Sequence, residues 1–333
     1  ASYFSTQGST LPAARKTGRL EVRTNAIVEK VAYDKETRRA TGVHVIDSQT
    51  DERLFFSSKL VFLCASTLGS TQILLNSRSE AFPDGLANSS GALGKYLMDH
   101  TMAAGAFAVM PGYDDVITRG HRPNGIYIPR FRNLSPAEES GDMGFVRGYG
   151  YQGMAMRLQG FPALAQPGFG ADWKKSLTGF GPWAMFLSGF GECLPSEANR
   201  VKLSERARDR WGIPQLDIRF EWSENELAMY RDIGQEAVAM LEAAGGVHVS
   251  PLSQTPPPGG VGIHEMGTAR MGRDPRTSVL GSHCQAHDVQ NLFVTDGACM
   301  TSSACQNPSL TYMALTARAC AFAARQLEGG AYA

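Results

Sequence analysis

The stretch Lys59-Leu60-Val61-Phe62-Leu63-Cys64 leads through Ala65-Ser66-Thr67 into a helical pattern that includes Gln72-Ile73-Leu74-Leu75. A nearly continuous apolar run of this kind is typical of a strand that is buried on both faces of a parallel sheet. A buried strand, a turn of small residues and a helix together present backbone N–H groups to a phosphate. Many α/β proteins share this arrangement, so the stretch predicts the fold class, α/β, and no particular function.

Antiparallel segments are predicted on both sides of this unit. Before it, four short segments alternate apolar and polar side chains and predict a β-meander: Leu20–Arg23, Ile27–Val31, Gly42–Ile46 and Arg53–Phe56. Between residues 101 and 222, alternating segments such as Gly125–Ile128 are separated by long loops, which favours a second, mostly antiparallel sheet. Ser223 and Glu226 form a capping-box pattern that opens a helix, and Gly245-Gly246 closes it.

Composition excludes several classes of protein. The 333 residues carry 32 Lys and Arg against 32 Asp and Glu, so the formal net charge is zero. A dedicated nucleic-acid binder needs a basic surplus to displace counterions, which this chain lacks. No window approaches the roughly 18 consecutive apolar residues that a membrane-spanning helix needs. With 43% hydrophobic and 19% charged residues, the chain is predicted to be globular rather than disordered.

The cysteines and the chain start leave the compartment open. Six cysteines are scattered without a Cys-x-x-Cys pair, and a chain of this size does not depend on disulfides for its stability. The segment Ala1–Thr6 has no initiator Met and neither the basic nor the apolar part of a signal peptide. We expect a processed or partial chain, and its localisation is not predicted.

Three blocks near the C-terminus carry residue types suited to catalysis. Gly262–Gly272 contains His264 and reads Gly-Ile-His-Glu-Met-Gly-Thr-Ala-Arg-Met-Gly, and Asn291–Ala298 is a strand pattern that runs into Asp-Gly. In the third block, Asn307 is predicted to be an N-cap with Pro308 at the first helical position, followed by an Ala-rich helix to about Leu327.

These blocks resemble the C-terminal part of the glucose-methanol-choline (GMC) family of FAD oxidoreductases. The family pattern runs His-x-x-Gly-Thr-x-Arg-Met-Gly, then a strand that ends in Asp-Gly or Asp-Ala, then Asn-Pro-x-x-Thr, and all three parts occur here in order. Gly94–His100 is similar to the family's Gly-x-x-Leu-x-Asp-His segment, and Ala65–Leu75 resembles its Ala-Gly-Ala-x-x-Ser-Pro-Gln-Leu-Leu. The resemblance covers residues 19–100 and 255–328.

The resemblance implies a FAD-binding domain with an inserted substrate domain. It assigns residues 1–100 and 255–333 to a GMC-type FAD-binding domain, built from a parallel sheet and a β-meander, and residues 101–254 to an antiparallel-sheet substrate-binding domain. The family's N-terminal Gly-x-Gly-x-x-Gly strand–turn–helix, which holds the ADP part of FAD, has no counterpart in residues 1–30. We expect that segment on another chain or removed, and we expect this chain alone to hold FAD poorly.

Two catalytic residues follow from the resemblance. Alcohol oxidation removes a hydroxyl proton and a hydride, and flavin N5 can take the hydride. His264 matches the family's catalytic His, and an imidazole titrates near neutral pH, so we expect it to be the base. Asn307 is expected to donate to the substrate oxygen or the flavin edge. Some members have His there, so Asn307 argues against two histidine bases.

The resemblance also implies a set of cofactor contacts. Asp296 and Gly297 match the segment that approaches the FAD diphosphate and ribityl, where a side chain on the glycine would collide. Asn307, Pro308 and Thr311 match the helix start whose positive end favours the reduced flavin anion. Val28 and Ala65 match softer cofactor-lining positions. Asp99 and His100 together have the residue types of an acid–base pair, but the family uses this segment structurally, which favours a structural role.

No metal site is predicted. His283, Cys284 and His287 have ligand spacing but no evident fourth partner, which favours a solvent loop. The expected activity is FAD-dependent oxidation of a sugar or glycoside hydroxyl, with the C3 hydroxyl of a glucoside favoured by similarity to the family's bacterial sugar-oxidising branch. The alternatives are another alcohol such as choline or a sterol, and a non-catalytic partner subunit. A hydrolase is disfavoured because no Gly-x-Ser-x-Gly elbow occurs. A small or electron-accepting subunit is a candidate partner.

Overall fold

The computed structural model describes residues 4–117, 125–135, 143–159 and 168–332. The chain divides into two compact units. The five-stranded unit comprises the described parts of Ala1–Val22, Thr101–Glu192 and Ser223–Pro257. The His264 unit comprises the described parts of Arg23–His100, Cys193–Trp222 and Pro258–Ala333. Within the described ranges, no helix is both long and apolar enough to cross a bilayer.

The His264 unit contains three sheets. The predicted β-meander is present, because β1, β2 and β3 pair antiparallel in that order: β1 Ala26–Asp34, β2 Arg39–Asp47 and β3 Arg53–Ser57. The second sheet is a parallel pair, β4 Val61–Leu63 and β12 Leu292–Val294. The third is an antiparallel pair, β9 Arg200–Arg208 and β10 Pro214–Arg219. Helices α2, Ser66–Asn76, and α5, Ser309–Glu328, complete the unit.

The core of the His264 unit surrounds the parallel pair. Val61, Leu63 and all of β12 are buried, and the Phe62 and Phe293 rings stack with centroids 4.6 Å apart. Helix α2 covers this layer with its buried Ile73, Leu74 and Leu75. The apolar run at 59–64 therefore forms the parallel strand that the sequence predicted, and burial of its side chains is what holds the strand in place.

The five-stranded unit consists of one antiparallel sheet with a helix packed on it. The strand order is β11-β5-β8-β7-β6, with these bounds: β5 Gly105–Met110, β6 Gly125–Ile128, β7 Tyr149–Arg157, β8 Trp183–Gly191 and β11 Val247–Pro251. Helix α4, Glu224–Ala243, packs against the sheet through Met229, Ile233 and Leu241, all fully buried. Its capping box at Ser223 and Glu226 confirms the predicted helix start. Two shorter helices are α1, Thr10–Lys16, and α3, Ala171–Thr178.

The structure corrects three local expectations. Residues 20–23 form no strand, because the first strand starts at Ala26, where pairing with Asp47 begins. Helix α5 begins at Ser309 with Pro308 as N-cap, since the first helical hydrogen bond runs from Tyr312 N–H to the Pro308 carbonyl. Asn307 is therefore not the N-cap.

The compact units also differ in extent from the expected domains. Residues 193–222 pack with the His264 unit, and residues 4–22 belong to the five-stranded unit. The breaks near residues 100 and 257 lie close to the expected ones at 100 and 254. The assignment of one unit to the cofactor and the other to substrate stays a prediction.

Candidate active site

The His264 unit holds a cavity of about 310 Å³ at the carboxyl ends of its two parallel strands. Four chain segments line it: the exit of β4 with the start of α2, residues 263–265, residues 296 and 297, and the first turn of α5. Because parallel strands finish at the same edge of a sheet, β4 and β12 deliver their following residues to one place. Ligands of open α/β sheets bind at this edge.

Asp296 ties the two strand ends together. Its Oδ2 accepts a hydrogen bond from the Ser70 hydroxyl at 2.5 Å, and Ser70 Oγ in turn accepts from the Ala65 N–H at 3.1 Å. Its Oδ1 accepts from the Ala298 N–H at 2.9 Å. Burial raises the pKa of Asp296, and these donors oppose the shift. The carboxylate thus holds the start of α2 beside the turn after β12.

Gly297 allows three segments to converge on the cavity. A Cβ at this position would lie 2.2 Å from Thr67 Oγ1, 2.5 Å from the Glu265 carbonyl oxygen and 2.9 Å from the Tyr312 hydroxyl. Carbon atoms do not approach oxygen this closely, so a larger residue would push the segments apart. The close neighbours are atoms of the protein itself, whereas the sequence suggested a collision with the cofactor.

The backbone around His264 is held by the buried carboxylate of Asp99, whose side chain is almost fully inaccessible. Asp99 Oδ1 accepts from the N–H groups of His100 at 2.8 Å and His264 at 3.1 Å. Oδ2 accepts from Gly260 at 2.9 Å and Gly262 at 3.0 Å. Gly262 must be glycine, because a Cβ there would lie 2.5 Å from Asp99 Oδ1. One carboxylate therefore fixes the loop that presents His264.

The imidazole of His264 contacts a second imidazole. His100 Nδ1 lies 2.9 Å from His264 Nδ1, and His100 Nε2 lies 3.2 Å from the Ser303 carbonyl oxygen. Burial lowers the pKa of both histidines, although Asp99 and Glu265 oppose the shift at His264. Both rings are therefore neutral at pH 7, and a neutral imidazole at a cavity wall can accept a proton.

The start of α5 gives the cavity a partial positive charge. Pro308, Ser309 and Tyr312 line the cavity. The first turn of this 20-residue helix carries no acidic side chain, and its N-cap makes no side-chain hydrogen bond. The backbone N–H groups of a helix start concentrate positive potential, so this end of α5 favours an anionic or electron-rich group in the cavity.

The structure brings some of the predicted site residues together and leaves others apart. His264, Asp296, Gly297 and Pro308 line the one cavity, and Ala65 lies between Cys64 and Ser66, which also line it. Asn307 is exposed on the loop that leads into Pro308. Thr311 is exposed on α5, and Val28 packs on the hydrophobic core from β1. The described lining of the cavity does not include Thr311 or Val28.

The sequence favoured a structural role for Asp99 and His100 and did not predict that their neighbour would be His264. The His100 ring contacts His264, 164 positions along the chain. Two histidines that each lie in a family motif were the only available signal. The two histidines with metal-ligand spacing have different contacts. His283 stacks on Phe322, and the His287 ring forms a hydrogen bond with Ser278.

Comparison with known proteins identifies the family. Sequence models described as GMC oxidoreductase match residues 2–102 and residues 195–316. The chain belongs to the GMC oxidoreductase family. This family uses FAD. The fold agrees with this assignment, because the chain is similar to a crystal structure of formate oxidase with a TM-score of 0.64 at 14% identity, over 92% of this chain and 61% of that one.

Three relatives illustrate the range of alcohols in the family. The chain is 34% identical to 2-methyl-1,2-propanediol dehydrogenase of Mycolicibacterium austroafricanum, over 92% of this chain and 55% of the relative. It is 26% identical to the fructose dehydrogenase large subunit of Gluconobacter japonicus, over 89% and 52%. It is 29% identical to C-glycoside 3-oxidase of Microbacterium trichothecenolyticum, over 85% and 50%. The chain spans about half the length of these relatives.

The residues around the cavity fit one end of FAD. The start of α5 and a neutral imidazole, which line the cavity together with Gly297, suit an isoalloxazine ring and its neighbouring atoms. A volume of about 310 Å³ lies at the low end of ligand pockets and suits part of a dinucleotide rather than the whole. His264, Gly297 and the first turn of α5 are the groups that would meet the ring.

Proposed function

We propose that this chain forms the catalytic half of a FAD-dependent oxidoreductase that converts an alcohol C–OH to a carbonyl. The observation that carries the proposal is the neutral imidazole of His264 at a cavity where two parallel strands and a helix start meet, on a loop whose backbone N–H groups bind Asp99. Family membership adds the redox chemistry, since the protein groups alone cannot accept electrons.

The roles of the protein groups and of FAD follow from the balance of the reaction. Oxidation of R₂CH–OH to R₂C=O releases one proton from oxygen and one hydride from carbon. FAD, when bound, supplies the hydride acceptor. His264 takes the proton, which makes the departing hydride easier to lose because negative charge develops on the substrate oxygen. Asn307 is proposed to donate a hydrogen bond to that oxygen, and its place next to the cavity-lining Pro308 supports this role.

The start of α5 and Asp296 have supporting roles in the proposal. Positive potential at Pro308 and Ser309 favours a cofactor that gains negative charge on reduction. Asp296 and Gly297, which line the cavity, and Ala65 beside it would hold the ribityl and diphosphate part of FAD. Val28 and Thr311 are kept as cofactor contacts on the family resemblance alone.

A glycoside is the first substrate candidate. Similarity to C-glycoside 3-oxidase over 85% of the chain supports oxidation of a secondary ring hydroxyl, C3 of a glucoside in particular. A small aliphatic diol is the second candidate, and the higher identity to 2-methyl-1,2-propanediol dehydrogenase supports it. Anaerobic flavin bleaching by methyl glucoside, by 2-methyl-1,2-propanediol and by choline separates the two. Bleaching by none of the three would argue for the non-catalytic alternative.

The role of His264 is tested by His264→Ala in the complete FAD-loaded protein. Loss of a general base should slow flavin reduction by about 10²–10⁴-fold without displacing FAD. His248→Ala, at an exposed histidine of β11, serves as the matched control and should leave the rate unchanged. Near-normal bleaching of the His264→Ala protein would remove His264 from this role.

We also propose that polypeptide beyond these 333 residues completes the FAD site. The ADP end of FAD needs a dinucleotide-binding segment, which we place on the remainder of a longer protein or on another chain. The chain's similarity to a relative named as a large subunit supports a small or electron-accepting subunit as a further partner.

A further inference from the structure

The contact between the two histidine rings fixes where their protons lie. The rings meet edge to face, with centroids 5.0 Å apart and planes 78° apart, and their Nδ1 atoms are 2.9 Å apart. A neutral imidazole carries one N–H and one acceptor nitrogen. At this distance one Nδ1 must donate and the other must accept, because two lone pairs or two hydrogens facing each other would repel.

Ser303 decides between the two arrangements. Its carbonyl oxygen lies 3.2 Å from His100 Nε2 and can only accept, so His100 Nε2 carries the hydrogen. His100 is neutral, since burial lowers its pKa, and its Nδ1 is therefore the acceptor. His264 Nδ1 then donates to His100, which leaves Nε2 as the basic nitrogen of His264.

The groups that determine which ring nitrogens carry hydrogen are themselves held by hydrogen bonds. Ser303 is buried, and its hydroxyl accepts from the Cys193 N–H at 3.0 Å, which fixes the Ser303 backbone. Asp99 Oδ1 accepts from the backbone N–H groups of both histidines, so one carboxylate oxygen fixes the backbone at both rings. Met98 and Met266 add a reciprocal pair of backbone hydrogen bonds, each 2.9 Å long, between the same two segments.

We propose that His100 is a positioning residue that selects the His264 tautomer with its hydrogen on Nδ1 and its lone pair on Nε2. The neutral imidazole in water prefers the opposite tautomer, with hydrogen on Nε2, which cannot take a proton there. His100 removes that preference and also stabilises the positive charge that His264 acquires. The use of Nε2 on a substrate hydroxyl rests on the proposed function, whereas the tautomer itself does not.

The tautomer can be read directly by ¹⁵N NMR of histidine-labelled complete protein, with and without FAD. The His264 signals are assigned by their loss in His264→Gln. We expect a pyrrole-type shift for His264 Nδ1 and a pyridine-type shift for Nε2. The reverse assignment in the wild-type protein would overturn the proposal. This measurement stands whether or not the protein oxidises an alcohol.

Two substitutions of His100 provide a matched kinetic pair. In His100→Asn, the amide oxygen takes the place of Nδ1 and can still accept from His264. In His100→Gln, the amide nitrogen takes the place of Nε2, which keeps the bond to Ser303 but loses the acceptor. We expect flavin reduction to slow about 10–100-fold in His100→Gln and to stay within a few-fold of wild type in His100→Asn.

A purely structural role for His100 predicts the opposite ranking, because Gln fills the space of the imidazole better than Asn. Equal losses in both variants, or a larger loss in His100→Asn, would therefore overturn the proposal. Urea unfolding of both variants establishes that they fold. If none of the alcohols tested reduces the flavin of the wild-type protein, the proposed function fails. The ¹⁵N shifts of His264 in the two variants still decide the tautomer.

Discussion

At the scale of single residues, the proposed acid–base role of His264 depends on the pKa of its imidazole. Burial lowers its pKa below the ordinary value of 6.5, and the carboxylates of Asp99 and Glu265 oppose this. Since only the neutral ring accepts a proton, the rate of flavin reduction should be constant at neutral and alkaline pH. It should fall only as the pH drops below 6.5. Stopped-flow reduction from about pH 5 to about pH 9 measures this profile.

Glu265→Gln is the matched variant for the pH profile. It removes a carboxylate that raises the His264 pKa, so the acid limb of the profile should move to lower pH.

The stability of the wild-type protein should also fall in acid, because the unfolded chain binds a proton at His264 and His100 more readily than the folded one. The contribution of the two neutral histidines to the free energy of unfolding is complete above pH 6.5 and is lost as the pH falls. An inflection above 6.5 would contradict this account.

Asp99→Asn tests how firmly Asp99 holds the loop that presents His264. An amide offers one acceptor oxygen where the carboxylate offers two, and its NH₂ group would face two backbone N–H groups. Each buried N–H left without an acceptor costs about 1–3 kcal/mol, so we expect a loss of roughly 2–5 kcal/mol in the free energy of unfolding by urea. Asp288→Asn, at a carboxylate that accepts from the N–H and the hydroxyl of exposed Ser89, should change stability by no more than about 0.5 kcal/mol. Equal effects at both positions would show that Asp99 does not hold this loop.

At the scale of secondary-structure elements, the cavity exists because α2, the 263–265 loop and α5 approach one another at Gly297. Gly297→Ala should destabilise the protein by about 1–3 kcal/mol and reduce flavin affinity, since the new methyl group overlaps atoms of all three segments. Thermal unfolding and flavin fluorescence titration of the complete protein measure the two effects. Adding Thr67→Ala should recover only part of the loss, because the Glu265 carbonyl is backbone.

Gly234→Ala is the control for that prediction. Gly234 lies inside α4, and a Cβ there meets no atom within 4 Å. Alanine has the higher helix propensity, so this change should stabilise the protein by about 0.5–1 kcal/mol. A Gly297→Ala protein as stable as wild type would show that the three segments can separate freely.

At the scale of the whole molecule, the chain spans about half the length of the relatives it matches, and its cavity suits one end of FAD. We expect the 333-residue chain by itself to bind FAD weakly, because residues 1–30 contain no Gly-x-Gly-x-x-Gly strand–turn–helix, the segment that binds the ADP part of FAD in this family. A flavin absorbance titration of the isolated chain measures this. Full stoichiometric binding without any other polypeptide would refute the expectation.

The sequence alone determined the elements that depend on local patterns. The apolar run at 59–64 predicted the parallel strand, alternation predicted the β-meander, and Ser223 with Glu226 predicted the start of α4. These predictions succeed because side-chain period and capping act over a few residues. Family motifs predicted His264 as the base; the structure places it in the cavity wall, and its role stays a prediction.

Only the tertiary structure decided how the site is assembled. His100 and His264 are 164 positions apart, and their hydrogen bond exists because Asp99 and the Met98–Met266 pair bring two distant segments together. Likewise, Gly297 meets Thr67, Glu265 and Tyr312 through packing that no local pattern encodes. A sequence motif specifies which side chains are available. Which nitrogen of His264 carries the proton depends on a carbonyl, that of Ser303, which the fold alone brings to the second ring.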